Sequence, residues 1–160
     1  MKKKIGTITL SELTYLSDPC YGTEVWCNNI IDTVPGEYEV FITRSRSKER
    51  WLAGRISSII AIHKDYVKFL KVMPKNNEDK LYCGVDSGTC GIFNAQYYEQ
   101  THSAHSVDED WYTKNVINMN LYKICNGLGA ISSSGCGDGC YPVFVEHKDG
   151  NAFAIRIKFL

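Results

Sequence analysis

The sequence predicts a mainly β domain of the α+β class, in which antiparallel strands form a single compact sheet or sandwich and one or two helices pack against it. The strongest observation is a hairpin near the C-terminus, where Lys148-Asp149-Gly150-Asn151 forms the turn between strands at residues 141–147 and 152–159. Apolar side chains alternate along the second strand and predict one common face for Phe153, Ile155, Ile157 and Phe159.

Further strands are predicted from short runs of β-branched and aromatic residues bounded by turn signals. They are expected at residues 5–10, 38–43, 56–62 and 66–72. Residues 44–50 are polar and predict the tip of a hairpin. Many short strands with few helical segments are typical of an antiparallel β fold.

Two segments predict helices. Asp108 is a suitable N-cap, and the helix after it is expected to continue until Asn126-Gly127 ends it. A shorter helical turn is expected to begin at Asn94 and to carry Tyr97 and Tyr98.

Length and charge limit the classes of protein. The 160 residues predict one domain spanning residues 1–160, with 44% hydrophobic residues for its core. The formal net charge of zero argues against binding a nucleic-acid duplex. We expect neither a signal peptide nor a membrane span, and seven cysteines then indicate reduced thiols in a cytoplasm. An open sheet has unpaired edge strands that can pair with those of a second copy, so the sequence is compatible with a homo-oligomer.

Three segments combine an aspartate with glycine, proline or hydroxyl residues where a strand meets a turn. They are residues 17–21, followed by Trp26, then 85–93 and 132–142. The third segment is the richest, with three consecutive serines, three glycines and Asp138. Its backbone amides and hydroxyls offer many hydrogen-bond donors to a partner that approaches closely.

The three segments predict one polar pocket. Its expected ligand-binding residues are Asp18, Tyr21, Trp26, Asp86, Ser87, Ser133, Ser134 and Asp138. Carboxylates would accept hydrogen bonds, serines would donate them, and an aromatic ring would stack on the ligand. The alternative is that each aspartate caps its own turn.

In their order along the chain, these motifs resemble those of a family of small β-rich domains of unknown function from bacteria and their phages. The shared pattern is DPCY followed by W, then VDSGxxGIF, then SSSGxGDGxYP, and a final alternating strand, and it spans nearly the whole chain. Cys136 and Cys140 stand where the family pattern has aromatic or small residues. The resemblance implies a β-rich fold and a set of positions, and no activity.

Metal and cofactor binding are not expected. The cysteine pairs 20/27, 83/90 and 136/140 lack the two-residue spacing of zinc knuckles, and His102 and His105 lie in a polar segment.

A Cys–His hydrolase would use Cys136 or Cys140 as nucleophile and His63 or His147 as base. No helix is predicted after the glycine-rich segment, so the strand–nucleophile–helix elbow is missing.

We therefore predict a non-enzymatic binding protein rather than an enzyme. Its ligand is expected to be small and polar or nucleotide-like, as in sequestration of a signal during bacterial or phage defence. The alternative is a protein–protein inhibitor or immunity module that contacts its partner through residues 44–50 or 100–108. A second alternative is a hydrolase that uses Cys136 or a carboxylate.

Overall fold

Two antiparallel sheets face each other across one core, in agreement with the sandwich form of the mainly β prediction. The computed structural model describes residues 2–68, 74–75, 77 and 80–160. Its strands are β1 (Lys2–Leu10), β2 (Leu13–Ser17), β3 (Asn29–Asp32), β4 (Gly36–Arg44), β5 (Ile56–His63), β6 (Tyr82–Val85), β7 (Thr89–Asn94), β8 (Tyr122–Cys125), β9 (Gly129–Ser133), β10 (Gly139–Lys148) and β11 (Asn151–Lys158). Its α-helices are α1 (Ala95–Thr101) and α2 (Glu109–Tyr112).

The first sheet has the strand order β1-β4-β5-β11-β10-β6, and the second has the order β3-β2-β7-β9-β8. The chain crosses between the sheets more than once, and one crossing is the short turn from β6 to β7. Neighbouring strands within each sheet are antiparallel. The fold is a mainly β α+β domain, in agreement with the prediction.

The core lies between the sheets and continues on their outer faces. In β5, Ile59 and Ala61 belong to the central core, whereas Ile60 and Ile62 pack on the outer face of the first sheet. Both faces of this strand are therefore buried, which explains its nearly continuous apolar sequence. None of the helices among the described residues is long and apolar enough to cross a membrane.

The two short helices cover the outer face of the second sheet. The Asn94 side chain accepts a hydrogen bond from the Tyr97 amide at 3.3 Å, and Asp108 accepts one from the Trp111 amide at 2.7 Å. The predicted N-cap at Asp108 and the predicted start of a short helix at Asn94 are both confirmed. The Tyr98 ring, carried by α1, packs against Tyr15 of β2 with 4.8 Å between ring centroids.

The prediction of a helix from Asp108 to Asn126-Gly127 is wrong beyond residue 117. α2 continues only into a π-helical turn, Thr113–Ile117, and the chain then forms β8, which pairs with β9. Asn126 and Gly127 have φ values of 50° and 69°, and the Leu128 amide donates to the Cys125 carbonyl. They form the turn of a β hairpin instead of a helix cap, because positive φ at both central residues suits such a turn.

The C-terminal hairpin is confirmed as β10 and β11, with one correction. Ile155, Ile157 and Phe159 join the central core, whereas Phe153 packs on the outer face, 4.5 Å from the Tyr66 ring. The prediction of one shared face was wrong for Phe153, because the register shifts at this point of the ladder. The extra residue of a bulge interrupts the alternation of faces.

The predicted strand at residues 66–72 is not found in its described part, because residues 66–68 lie in a turn. Residues 69–72 lie outside the described residues. Residues 45–50 of the polar segment lie in the connection between the paired strands β4 and β5, as predicted for a hairpin tip, whereas Arg44 ends β4.

Buried thiols and phenols predict that the fold loses stability at alkaline pH. Burial raises the pKa of the Cys27 and Cys125 thiols from 9.0 to about 12, and it also raises the pKa of Tyr38. An unfolded chain releases these protons at lower pH than the folded chain does. The stabilisation is therefore complete below about pH 9 and decreases as the pH rises towards 12, by at most about 1.4 kcal/mol per pH unit for each group.

Urea unfolding at several pH values from about 8 to about 11 measures this effect. The free energy of unfolding should fall over that range, and Cys125→Ala should reduce the slope. A flat profile would contradict the prediction.

Candidate functional site

The buried carboxylate of Asp18 joins the first predicted segment to the second. Asp18 follows β2 directly and is fully buried. Its carboxylate accepts hydrogen bonds from the amides of Cys20 (3.0 Å), Asp86 (2.8 Å) and Ser87 (2.7 Å), and from the Ser87 hydroxyl (2.7 Å). The three bonds from Asp86 and Ser87 hold the turn between β6 and β7 against the end of β2, and the bond from Cys20 closes the turn at Asp18 itself. All four donors to the Asp18 carboxylate are groups of the protein itself.

The third segment closes on the same turn. The Ser134 amide donates to the Gly88 carbonyl at 2.9 Å. Within the loop, the Ser134 hydroxyl (2.5 Å) and the Tyr141 hydroxyl (2.8 Å) both donate to the Gly137 carbonyl. The structure therefore brings all three segments together, although much of their hydrogen-bonding capacity is used to hold the loops to one another.

Tyr98 of α1 and His102, the residue that ends this helix, form hydrogen bonds with the first segment. Neither was among the predicted site residues. The Tyr98 hydroxyl lies within hydrogen-bond distance of Ser17 Oγ (3.0 Å) and of the Tyr21 carbonyl (3.1 Å). His102 Nε2 donates to the Pro19 carbonyl at 3.0 Å, and burial lowers the pKa of this imidazole. No local sequence signal connects α1 to a loop some 80 residues earlier, so only the tertiary structure identifies this support.

The solvent side of the junction carries five of the molecule's partly or fully exposed aromatic and acidic residues. We call this group the rim: Tyr21, Trp26, Tyr82, Asp86 and Asp138. Trp26 is 65% exposed and Tyr82 47% exposed. The Trp26 ring lies against Gly84 of β6, in space that any larger side chain at residue 84 would occupy.

Hydrogen bonding links the aromatic and acidic parts of the rim. The Tyr21 hydroxyl donates to the Asp86 carboxylate, and this bond raises the pKa of Tyr21 to about 12. Ser87, which is exposed, donates its hydroxyl proton inward to Asp18. Ser133, the remaining predicted residue, is half-buried at the end of β9 opposite Thr89.

The three segments are acidic although the whole chain is neutral. Together with their neighbouring residues they span 17–28, 82–94 and 132–142, and these ranges contain three aspartates and one glutamate but no lysine or arginine. One cationic side chain from another part of the chain contacts the third segment: the Arg55 guanidinium donates to the Gly135 carbonyl at 2.7 Å. The exposed charged side chains within these ranges, Glu24, Asp86 and Asp138, are therefore all acidic.

The geometry separates the cysteines and histidines of the Cys–His hydrolase that was considered as an alternative. Cys140 and His147 lie seven residues apart on β10, which corresponds to about 23 Å along a strand. Cys136 precedes that strand, and so lies on the far side of Cys140 from His147. His63 ends β5, beside Ile62, which pairs with Ala154 near the β10–β11 turn. Both histidines therefore lie at the opposite end of the sheet from these cysteines.

Within the part of the chain that the structure describes, no three histidine, cysteine, aspartate or glutamate side chains are grouped to hold a metal ion. Comparison of the chain with protein-family models, curated proteins and solved structures finds no match. The resemblance to a phage and bacterial domain family stays a prediction.

Proposed function

We propose that this protein is a non-enzymatic binding protein that contacts a partner protein through the rim. The observation that supports this proposal most directly is the 65% exposure of Trp26, whose ring lies against Gly84 beside the three joined segments. Tryptophan is enriched among the residues that contribute most to protein–protein binding, and exposed apolar patches often mark interaction sites. A partner that places basic and apolar side chains on the rim would complement its rings and carboxylates.

The same observations make an anionic nucleotide a weaker candidate. Its phosphates would approach Asp86 and Asp138, and the three segments supply no lysine or arginine to neutralise them. The hydrogen-bonding groups of Asp18 and Ser134 are directed to other parts of the protein. A small polar ligand is a second candidate, because Asp86 and Ser87 lie side by side at the surface.

Trp26→Ala is expected to weaken binding of the partner by at least about 30-fold, which corresponds to the ~2 kcal/mol of a typical hot spot. The matched control is Trp51→Ala, because Trp51 is 59% exposed but lies in the loop between β4 and β5. The experiment captures partners from an extract of the source cell with the wild-type protein. The dissociation constant of each purified partner is then measured for both variants.

Loss of affinity in Trp26→Ala with no change in Trp51→Ala would support the rim. The reverse result would place the contact at the β4–β5 loop and overturn the proposal. A thermal-shift screen with nucleotides and small cationic compounds tests the second candidate. A stabilising compound whose effect disappears in Asp86→Asn would favour the small-ligand function instead.

A further inference from the structure

Two buried cysteines face each other where the chain crosses between the sheets. Cys83 lies on β6 of the first sheet and Cys90 on β7 of the second, and both are fully buried. Their Sγ atoms are 3.2 Å apart. Formation of a disulfide bond of ~2.05 Å requires the two sulfur atoms to approach by about 1.2 Å.

We propose that Cys83 and Cys90 form a disulfide under oxidising conditions and that this bond covalently ties the two sheets together. The crosslink would close the turn that carries Asp86 and Ser87, the residues whose amides hold Asp18. This inference is independent of the proposed binding function, because it depends only on the placement of the two thiols. Formation of this disulfide does not require any of the other five cysteines.

The reaction needs a two-electron oxidant, for which a diazenedicarboxamide such as diamide serves. One thiolate adds to the N=N bond, and the second thiolate then attacks the sulfur of that adduct. The S–S bond forms, both S–H bonds are lost, and the oxidant takes up two protons and two electrons to become a hydrazine. Burial raises the pKa of Cys90, so oxidation in the native state is expected to be slower than that of an exposed thiol.

Trypsin provides a direct readout of this bond. No lysine or arginine lies between Lys80 and Lys114, so residues 81–114 form one peptide, and its cysteines are Cys83 and Cys90 alone. After oxidation and alkylation of free thiols, we expect this peptide without alkyl groups and with a mass about 2 Da below its reduced form. Dithiothreitol should restore two alkylatable thiols.

The measurement is made on the folded protein and on protein refolded from urea in a glutathione redox buffer, because refolding gives access to the buried thiols. The exposed Cys136 and Cys140 are changed to serine in both samples to prevent competing reactions. The oxidised protein should also show a melting temperature about 5 °C higher than the reduced protein. Cys90→Ala should remove the mass change and the shift, whereas Cys125→Ala should keep both.

Two results would overturn the proposal. One is a peptide 81–114 that carries two alkyl groups after both oxidation and refolding. The other is a crosslink from this peptide to residues 5–44, which contain Cys20 and Cys27, because it would show that a different pair of thiols is preferred.

Discussion

Asp18→Ala is expected to lower the free energy of unfolding by more than about 3 kcal/mol. The substitution removes a buried carboxylate and leaves the amides of Cys20, Asp86 and Ser87 without their acceptor. These hydrogen bonds are partly buried, and each hydrogen bond to a charged group contributes about 1.5–3 kcal/mol, so the loss of several at once exceeds about 3 kcal/mol. Urea unfolding of wild type and variant measures the difference, with circular dichroism to test whether the variant folds.

The matched control is Asp138→Ala. Asp138 lies in the third segment and is exposed, so its substitution is expected to change stability by less than about 0.5 kcal/mol. Asp18→Asn adds a second test. It keeps the size of the side chain but replaces one accepting oxygen by an NH₂ group that faces donors, and should therefore be destabilising as well. A fully stable Asp18→Ala protein would show that Asp18 does not hold the β6–β7 turn.

The sequence predicted only part of this role of Asp18. The expectation that an aspartate before proline caps its own turn describes the bond from the Cys20 amide. The bonds from Asp86 and Ser87 come from a segment 68 and 69 residues away. Motif composition predicted that the segments meet, whereas the internal use of the carboxylate depends on strand order, which the composition does not contain.

The Asn126-Gly127 dipeptide shows the same limit for secondary structure. It suits both a helix C-terminus and a two-residue hairpin turn, because each needs positive φ values. Pairing of β8 with β9 decides between them. The hairpin of β10 and β11 was predictable because turn and alternation agree locally. Phe153 deviates because a bulge in the pairing of β10 with β11 shifts the register there, and turn composition and alternation do not predict such a bulge.

Gly135→Ala is expected to destabilise the protein by more than about 3 kcal/mol. Gly135 has a φ value of +72°, where an alanine costs about 1–2 kcal/mol, and an added Cβ would overlap the carbonyl oxygen of Ile56. Ile56 begins β5, a central strand of the first sheet, so its backbone cannot move away without disturbing the pairing with β4. Urea unfolding measures the loss in stability.

Gly137→Ala is the matched control in the same loop. Gly137 also has a positive φ, +97°, but an added Cβ would meet no other atom within 4 Å. Only backbone strain of about 1–2 kcal/mol is then expected. The difference between the two variants isolates the close approach of the loop to β5. Equal losses would mean that the 134–139 loop can shift freely, and the fixed arrangement of the third segment against Gly88 would have to be abandoned.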